Sequence, residues 1–160
     1  KDIKDGQIDY SEARQIHPDD FIEVHRRTRL EAGDVLITNS GTIGKTAIIY
    51  ENPLVERTTF QKSVAIVKPN QNKLGSVYLK TAFDLSVMNL MRTSSGSSQK
   101  NLLLRQLRDF EIYLPSLAQQ HEFALRVNAL EALKTKHRIA LIKMDNFFQS
   151  LQQSAFKGEL

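Results

Sequence analysis

The stretch NSGTIGKT, residues 39–46, brings two glycines, three hydroxyl side chains and a lysine into eight positions. That is close to a phosphate-binding loop, G-x-x-x-x-G-K-[ST], with Gly44, Lys45 and Thr46 in place and Asn39 where the first glycine belongs. Such a loop needs a strand before it and a helix after it, so that backbone amides and the helix dipole meet the anion. Val35 to Thr38 supplies the strand. After Lys45 comes Thr46-Ala47-Ile48-Ile49-Tyr50, a β-branched run stopped by Pro53. It reads as a second strand with no room for a helix. The loop therefore joins two strands, and Gly41 and Gly44 supply positive φ or close backbone approach. Ser40, Thr42 and Lys45 are left at the hairpin tip, where short hydroxyls and a cation suit contacts to a nucleic-acid backbone. A turn with solvated side chains accounts for the same residues equally well.

A second polar loop runs from Arg92 through Thr93-Ser94-Ser95-Gly96-Ser97-Ser98-Gln99-Lys100-Asn101. Glutamine and asparagine can bond adenine in two places, and arginine or lysine can read guanine. The candidate contacts are Arg92, Ser97, Ser98, Gln99, Lys100 and Asn101. A flexible linker is the plain alternative for a serine-rich segment. Residue types for catalysis or metal binding do not converge anywhere. There is no nucleophile–base pair and no H-E-x-x-H, and His17, His25, His121 and His137 lack ligand spacing. Asp19, Asp20 and Glu23 read as helix-start residues rather than acid–base catalysts.

Charge is unevenly spread. Residues 1–56 hold 7 basic and 11 acidic groups, residues 57–108 hold 9 and 1, and residues 109–160 hold 6 of each. The middle block, at +8, suits a polyanionic partner. The total of +4 over 160 residues, with 41% hydrophobic and 25% charged residues, is ordinary for a folded chain. No run of apolar residues is long enough to span a membrane and no secretory signal is visible. The lack of cysteine rules out disulfides and thiolate chemistry and suits a cytoplasmic location. The first residue is Lys1 rather than Met, so an N-terminal part is expected to be missing.

The secondary structure that carries the two loops can be read from pattern. Asp5-Gly6 reads as a turn, and Pro18 with the acidic residues after it opens a short helix over about 18–27. Val35-Leu36-Ile37, Thr46 to Tyr50 and Ser63 to Val67 read as strands. Ser76 to Arg92 reads as a helix, with Leu79, Phe83, Val87 and Leu90 on one face. Phe110, Ile112 and Leu114 alternate with polar or exposed-type neighbours and predict a strand before Pro115. The mix is α+β: a mixed or antiparallel sheet with flanking helices over 1–115, followed by a long helix over 116–160.

That last segment opens on Ser116-Leu117-Ala118-Gln119, a capping box, and has no proline or glycine to about Ala155. Positions 123, 127, 130, 134, 137, 141, 144, 148, 151 and 155 alternate in steps of four and three. Phe123, Val127, Leu130, Leu141, Met144, Phe148 and Leu151 make most of this seam coiled-coil-like, and Lys134 and His137 interrupt its middle. At 1.5 Å per residue, about forty residues span roughly 60 Å. The seam calls for another helix, in an antiparallel or bundle arrangement; a helix lying across its own domain is the alternative.

Four stretches together resemble the specificity subunits of type I restriction–modification systems. They are Leu30-Glu31-Ala32-Gly33-Asp34-Val35-Leu36-Ile37 running into Ser40-Gly41-Thr42-Ile43-Gly44-Lys45; Gly96-Ser97-Ser98-Gln99-Lys100-Asn101-Leu102; Ile112-Tyr113-Leu114-Pro115-Ser116-Leu117 with Gln119-Gln120; and Ser154-Ala155-Phe156-Lys157-Gly158-Glu159-Leu160. The chain departs from the family at Ser116, where a second proline is common. The resemblance implies a target recognition domain and a conserved spacer helix, two such repeats in a full subunit, and helices that pair antiparallel. Only one repeat is present here, so a fragment or a half-subunit that pairs with itself is expected. It implies double-stranded DNA, a methyltransferase subunit and a restriction/translocase subunit as partners. S-adenosylmethionine, ATP and Mg are then expected on those partners, with no cofactor and no catalysis on this chain. From the residues alone, a coiled-coil adaptor that binds protein and no nucleic acid stays open. A fused methyltransferase or nuclease would need catalytic motifs that this stretch does not contain.

Overall fold

Val35, Leu36 and Ile37 are wholly buried, and they organise the sheet. The computed structural model describes residues 3–92, 102 and 104–159, with the backbone alone at 88 and 90–92. The strand β3 (Val35–Thr38) lies between β4 (Thr46–Ile48) and β5 (Val64–Val67), antiparallel to both. Val35 faces Ile48 on one side and Val67 on the other; Leu36 faces Ala47 and Ile66. Successive residues of a strand point to opposite faces. Val35 and Ile37 therefore enter one core with Ile48, Ala65, Leu79, Phe83, Val87 and Leu102. Leu36 enters another with Ile3, Leu30, Ala47, Ile49 and Val55. A strand covered on both faces reads as a continuous apolar run, which is how Val35-Leu36-Ile37 appears in the sequence.

The first core is roofed by α2 (Ser76–Arg92), which has the bounds its periodicity predicts. Leu79, Phe83 and Val87 are its buried residues among those described, and Phe83 stacks on Phe110 with centroids 4.9 Å apart. The second core is closed by a hairpin of β1 (Ile3–Lys4) and β2 (Gln7–Ile8). Asp5 and Gly6 both have positive φ, +49° and +76°, as a two-residue hairpin of the primed type requires. The sequence predicts that turn but not its strands. The Gly6 carbonyl accepts the Ile48 amide at 3.1 Å, tying the hairpin to β4.

Helix α1 (Pro18–Thr28) starts at the expected proline, and the His17 ring accepts the Asp19 amide at 3.4 Å as its cap. A short 3-10 turn, Val55–Arg57, and a short helix α3 (Leu104–Arg108) complete this part. The strand predicted at 110–114 does not form. Phe110 and Ile112 pack on the first core, but Leu114 is exposed together with Tyr113, so the expected alternation holds only as far as Ile112. The segment has no regular secondary structure and pairs with no strand among the described residues. It is held instead through the Tyr113 carbonyl, which accepts the Tyr78 hydroxyl at 2.9 Å.

Helix α4 (Leu117–Lys157) runs unbroken for 41 residues. Its start is the expected capping box: the Ser116 amide donates to Gln119 Oε1 at 3.1 Å, and the Gln119 amide to Ser116 Oγ at 3.4 Å. The architecture is α+β with antiparallel sheets and a long terminal helix. The chain divides into two compact units, Lys1–His121 and Glu122–Leu160.

Candidate nucleic-acid interface

The loop between β3 and β4 is shaped by one side chain at its root. Thr38 Oγ1 accepts the Lys45 amide at 2.9 Å and donates to the Thr42 carbonyl. The Thr38 amide donates to the Lys45 carbonyl, and the Gly44 amide to the Thr38 carbonyl, both at 2.9 Å. Gly41 (φ +72°) and Gly44 (φ +84°) take the left-handed conformation expected of them. At Gly44 an added Cβ would stand 2.4 Å from Val87 Cγ2, whereas Gly41 faces open space. The first glycine is thus a bend at the tip and the second a contact with α2. Thr42 and Lys45 are exposed or nearly so, and Ser40 is half-buried. The chain enters β4 directly after Lys45, so the loop joins two strands as the sequence indicates.

The backbone of Asn39 links this loop to two other segments. Its amide donates to the Ser63 carbonyl and its carbonyl accepts the Leu102 amide, each at 2.9 Å. Leu102 is anchored in the first core, 2% exposed. The chain leaving the second polar loop is therefore fastened to the root of the first. Of that second loop, Ser97, Ser98, Gln99, Lys100 and Asn101 lie outside the described residues, as does the side chain of Arg92.

The structure sets two cations that the sequence reading missed, Lys4 and Lys80, beside the expected Lys45. Lys4 of β1, Lys45 of the loop and Lys80 of α2 border one depression of about 500 Å³, together with Thr46 and Asp84. Lys80 bonds Asp84 at 2.7 Å, and Asp84 also accepts the Thr46 hydroxyl. Lys4 pairs with Asp9; the Lys4 ammonium and the Ser11 hydroxyl and amide hold the Asp9 carboxyl well below the usual carboxylate range. These lysines are 35 or more positions apart, so no local pattern could have grouped them. Just before β3, Asp34 is buried, accepts the Glu31 amide at 2.9 Å and pairs at 2.8 Å with Lys68, which directly follows β5. Burial alone would lower the Lys68 ammonium, but the hydrogen bonds and charges of Asp34 and Glu31 outweigh it and hold the group above its usual value.

The start of α4 is positioned by Gln120, the one buried residue of that helix among those described. Its Oε1 accepts the Gly75 amide at 2.9 Å, and its Nε2 donates to the carbonyls of Lys73 at 3.0 Å and Pro115 at 2.8 Å. Further along, the seam residues are open to solvent: Leu130, Leu141, Met144 and Phe148 are each more than half exposed, Leu151 is exposed, and Phe123 and Val127 are partly so.

The chain thus carries a glycine hairpin on an antiparallel sheet and a long helix with an open apolar seam. The family described as type I restriction modification DNA specificity domain matches residues 1–144, and the chain belongs to it. Among characterised proteins, the type I restriction enzyme EcoBI specificity subunit of Escherichia coli is 29% identical over 165 residues. That alignment takes in 99% of this chain and 34% of the relative, so the chain spans about a third of that protein's length. No helix among the described residues is long and apolar enough to cross a membrane.

Proposed function

We propose that this chain reads one half-site of double-stranded DNA as the recognition part of a type I specificity subunit. The loops at 39–45 and 92–101 carry the contacts. Ser40, Thr42 and Lys45 hold the phosphate backbone, and the amide and cationic side chains of the second loop approach base edges. Helix α4 docks the methyltransferase subunit and, through it, the restriction/translocase subunit. The chemistry belongs to those partners, with S-adenosylmethionine, ATP and Mg bound there, and this chain supplies position rather than catalysis. The assembly works in the cytoplasm of a prokaryotic cell.

The observation that carries this reading is the bond between the Leu102 amide and the Asn39 carbonyl. It brings the root of the first loop against the residue that follows the second polar segment, although the two segments lie some fifty residues apart in the sequence, and this supports a shared contact surface. Fluorescence anisotropy with labelled duplex DNA tests it. A reader binds random duplex weakly, with log Kd rising steeply against log salt. Binding that is absent, or indifferent to salt, leaves the chain a protein-binding adaptor.

A further inference from the structure

The depression beside the glycine hairpin lies within the first unit, and three elements build it. Lys4 comes from β1, Lys45 from the β3–β4 loop and Lys80 from α2; Asp5, Thr46 and Asp84 supply the other polar side chains. Each element is fixed to the next. The Gly6 carbonyl ties the β1–β2 hairpin to β4, the Thr46 hydroxyl ties β4 to Asp84 of α2, and Gly44 abuts Val87 of the same helix. The Lys80 chain also lies across the hairpin turn, where a Cβ added at Gly6 would stand 2.9 Å from its Cε. The fold therefore gathers the three lysines before any ligand arrives.

The lining decides what enters. It sets three cations against two carboxylates, so an apolar ligand gains little there and a metal ion meets net positive charge. An anion suits the lysines. Two of them are held internally, Lys80 by Asp84 at 2.7 Å and Lys4 by Asp9, yet the Lys4 side chain is 58% exposed and that of Asp84 39%. Ion pairs open to water are weak, so an incoming phosphate can share these ammonium groups without disturbing the fold. Lys45, which is exposed, belongs to the loop already assigned to the nucleic-acid backbone.

We infer that the depression seats a phosphodiester of the duplex, held by Lys4, Lys45 and Lys80, and that Asp84 limits how tightly. This rests on the DNA-reading function proposed above and extends its contacts to β1 and α2. Asp84 accepts from Lys80 and Thr46 and so positions Lys80, but its negative charge borders the same depression and opposes the phosphate. A phosphate contact carries no sequence information. A carboxylate that weakens it keeps non-specific binding low beside base readout.

Anisotropy titrations of labelled random duplex at several salt concentrations test this on the whole chain. Lys4→Gln and Lys80→Gln should each flatten the slope of log Kd against log salt by about one unit. Lys80→Arg, which keeps the charge, should retain the wild-type slope. Asp84→Asn, which keeps an acceptor for Thr46 and Lys80, should tighten binding about threefold; unchanged or weaker binding would overturn its limiting role. If Lys4→Gln and Lys80→Gln keep the wild-type slope while Lys45→Ala flattens it, the phosphate seat is overturned and the DNA-reading function stands. If the wild type shows no salt-dependent binding, both fail. Unchanged slopes, together with a melting temperature that inorganic phosphate raises in the wild type but not in Lys80→Gln, would make the depression a seat for the free ion and overturn its assignment to the duplex.

Discussion

The Leu102 amide donates to the Asn39 carbonyl at 2.9 Å, and that bond ties the root of the β3–β4 loop to the residue that follows the second polar segment in the sequence. Because Leu102 is buried and the Asn39 amide also holds Ser63, neither residue can move without disturbing the first core. Lys45 is exposed at this junction, and under the proposed role it and Lys100 should act on a common ligand. Lys45→Ala is expected to weaken binding to all duplex sequences alike and to flatten the salt slope by about one unit. Lys100→Ala should do the same. Anisotropy titrations at several salt concentrations measure both effects. An unchanged slope for either variant removes that loop from the interface.

The two glycines of the first loop should differ in their tolerance. Alanine at Gly41 meets only the left-handed backbone, a cost of about 1–2 kcal/mol. Alanine at Gly44 meets the same backbone and Val87 at 2.4 Å as well, for about 2–4 kcal/mol in all. Urea unfolding of the pair tests the order, and equal losses would contradict the contact with α2.

Gln120→Leu should cost about 3 kcal/mol. The substitution leaves the Gly75 amide and the Lys73 and Pro115 carbonyls without the partner that satisfies them. Ser116→Ala, which removes only a cap, should cost about 1 kcal/mol. Thermal or urea melts of both variants check the contrast.

The Lys68–Asp34 pair predicts a pH dependence. The folded state holds the Lys68 ammonium above its usual value, so it binds that proton more tightly than the unfolded chain does. The contribution is complete below about pH 10 and fades as pH rises through the raised folded value. Lys68 is half exposed, which screens the pair, so Lys68→Met should cost about 1 kcal/mol at neutral pH. The difference between wild type and variant should narrow at about pH 11, in urea titrations at the two pH values. A gap that stays constant would assign the effect to the lost aliphatic chain rather than to the charge.

Much of the fold could be read from local signals. The bounds of α2, the proline start of α1, the capping box at Ser116 and the glycine hairpin each depend on neighbours within a few residues. Strands β1 and β2 were hidden because two residues carry no period; only the Asp5-Gly6 turn between them shows. The alternation reports the burial of Phe110 and Ile112 but not of Leu114, which is exposed, and a strand also needs a free edge beside it, which depends on the tertiary arrangement. The same limit applies at the site. The polar loops announce themselves by composition, whereas Lys4 and Lys80 come to border Lys45 only through folding. Gln120 looks like any polar residue at a helix start until its three backbone partners are placed around it.

Strand β3 feeds alternate residues to opposite cores, and this has a consequence for how the recognition unit melts. If either core loosens, β3 loses its support on that side and the other core loses the wall it packs against. Amides of β3, β4 and β5 should thus exchange with deuterium in one concerted opening, and the halves of the sheet should share a single free energy of protection.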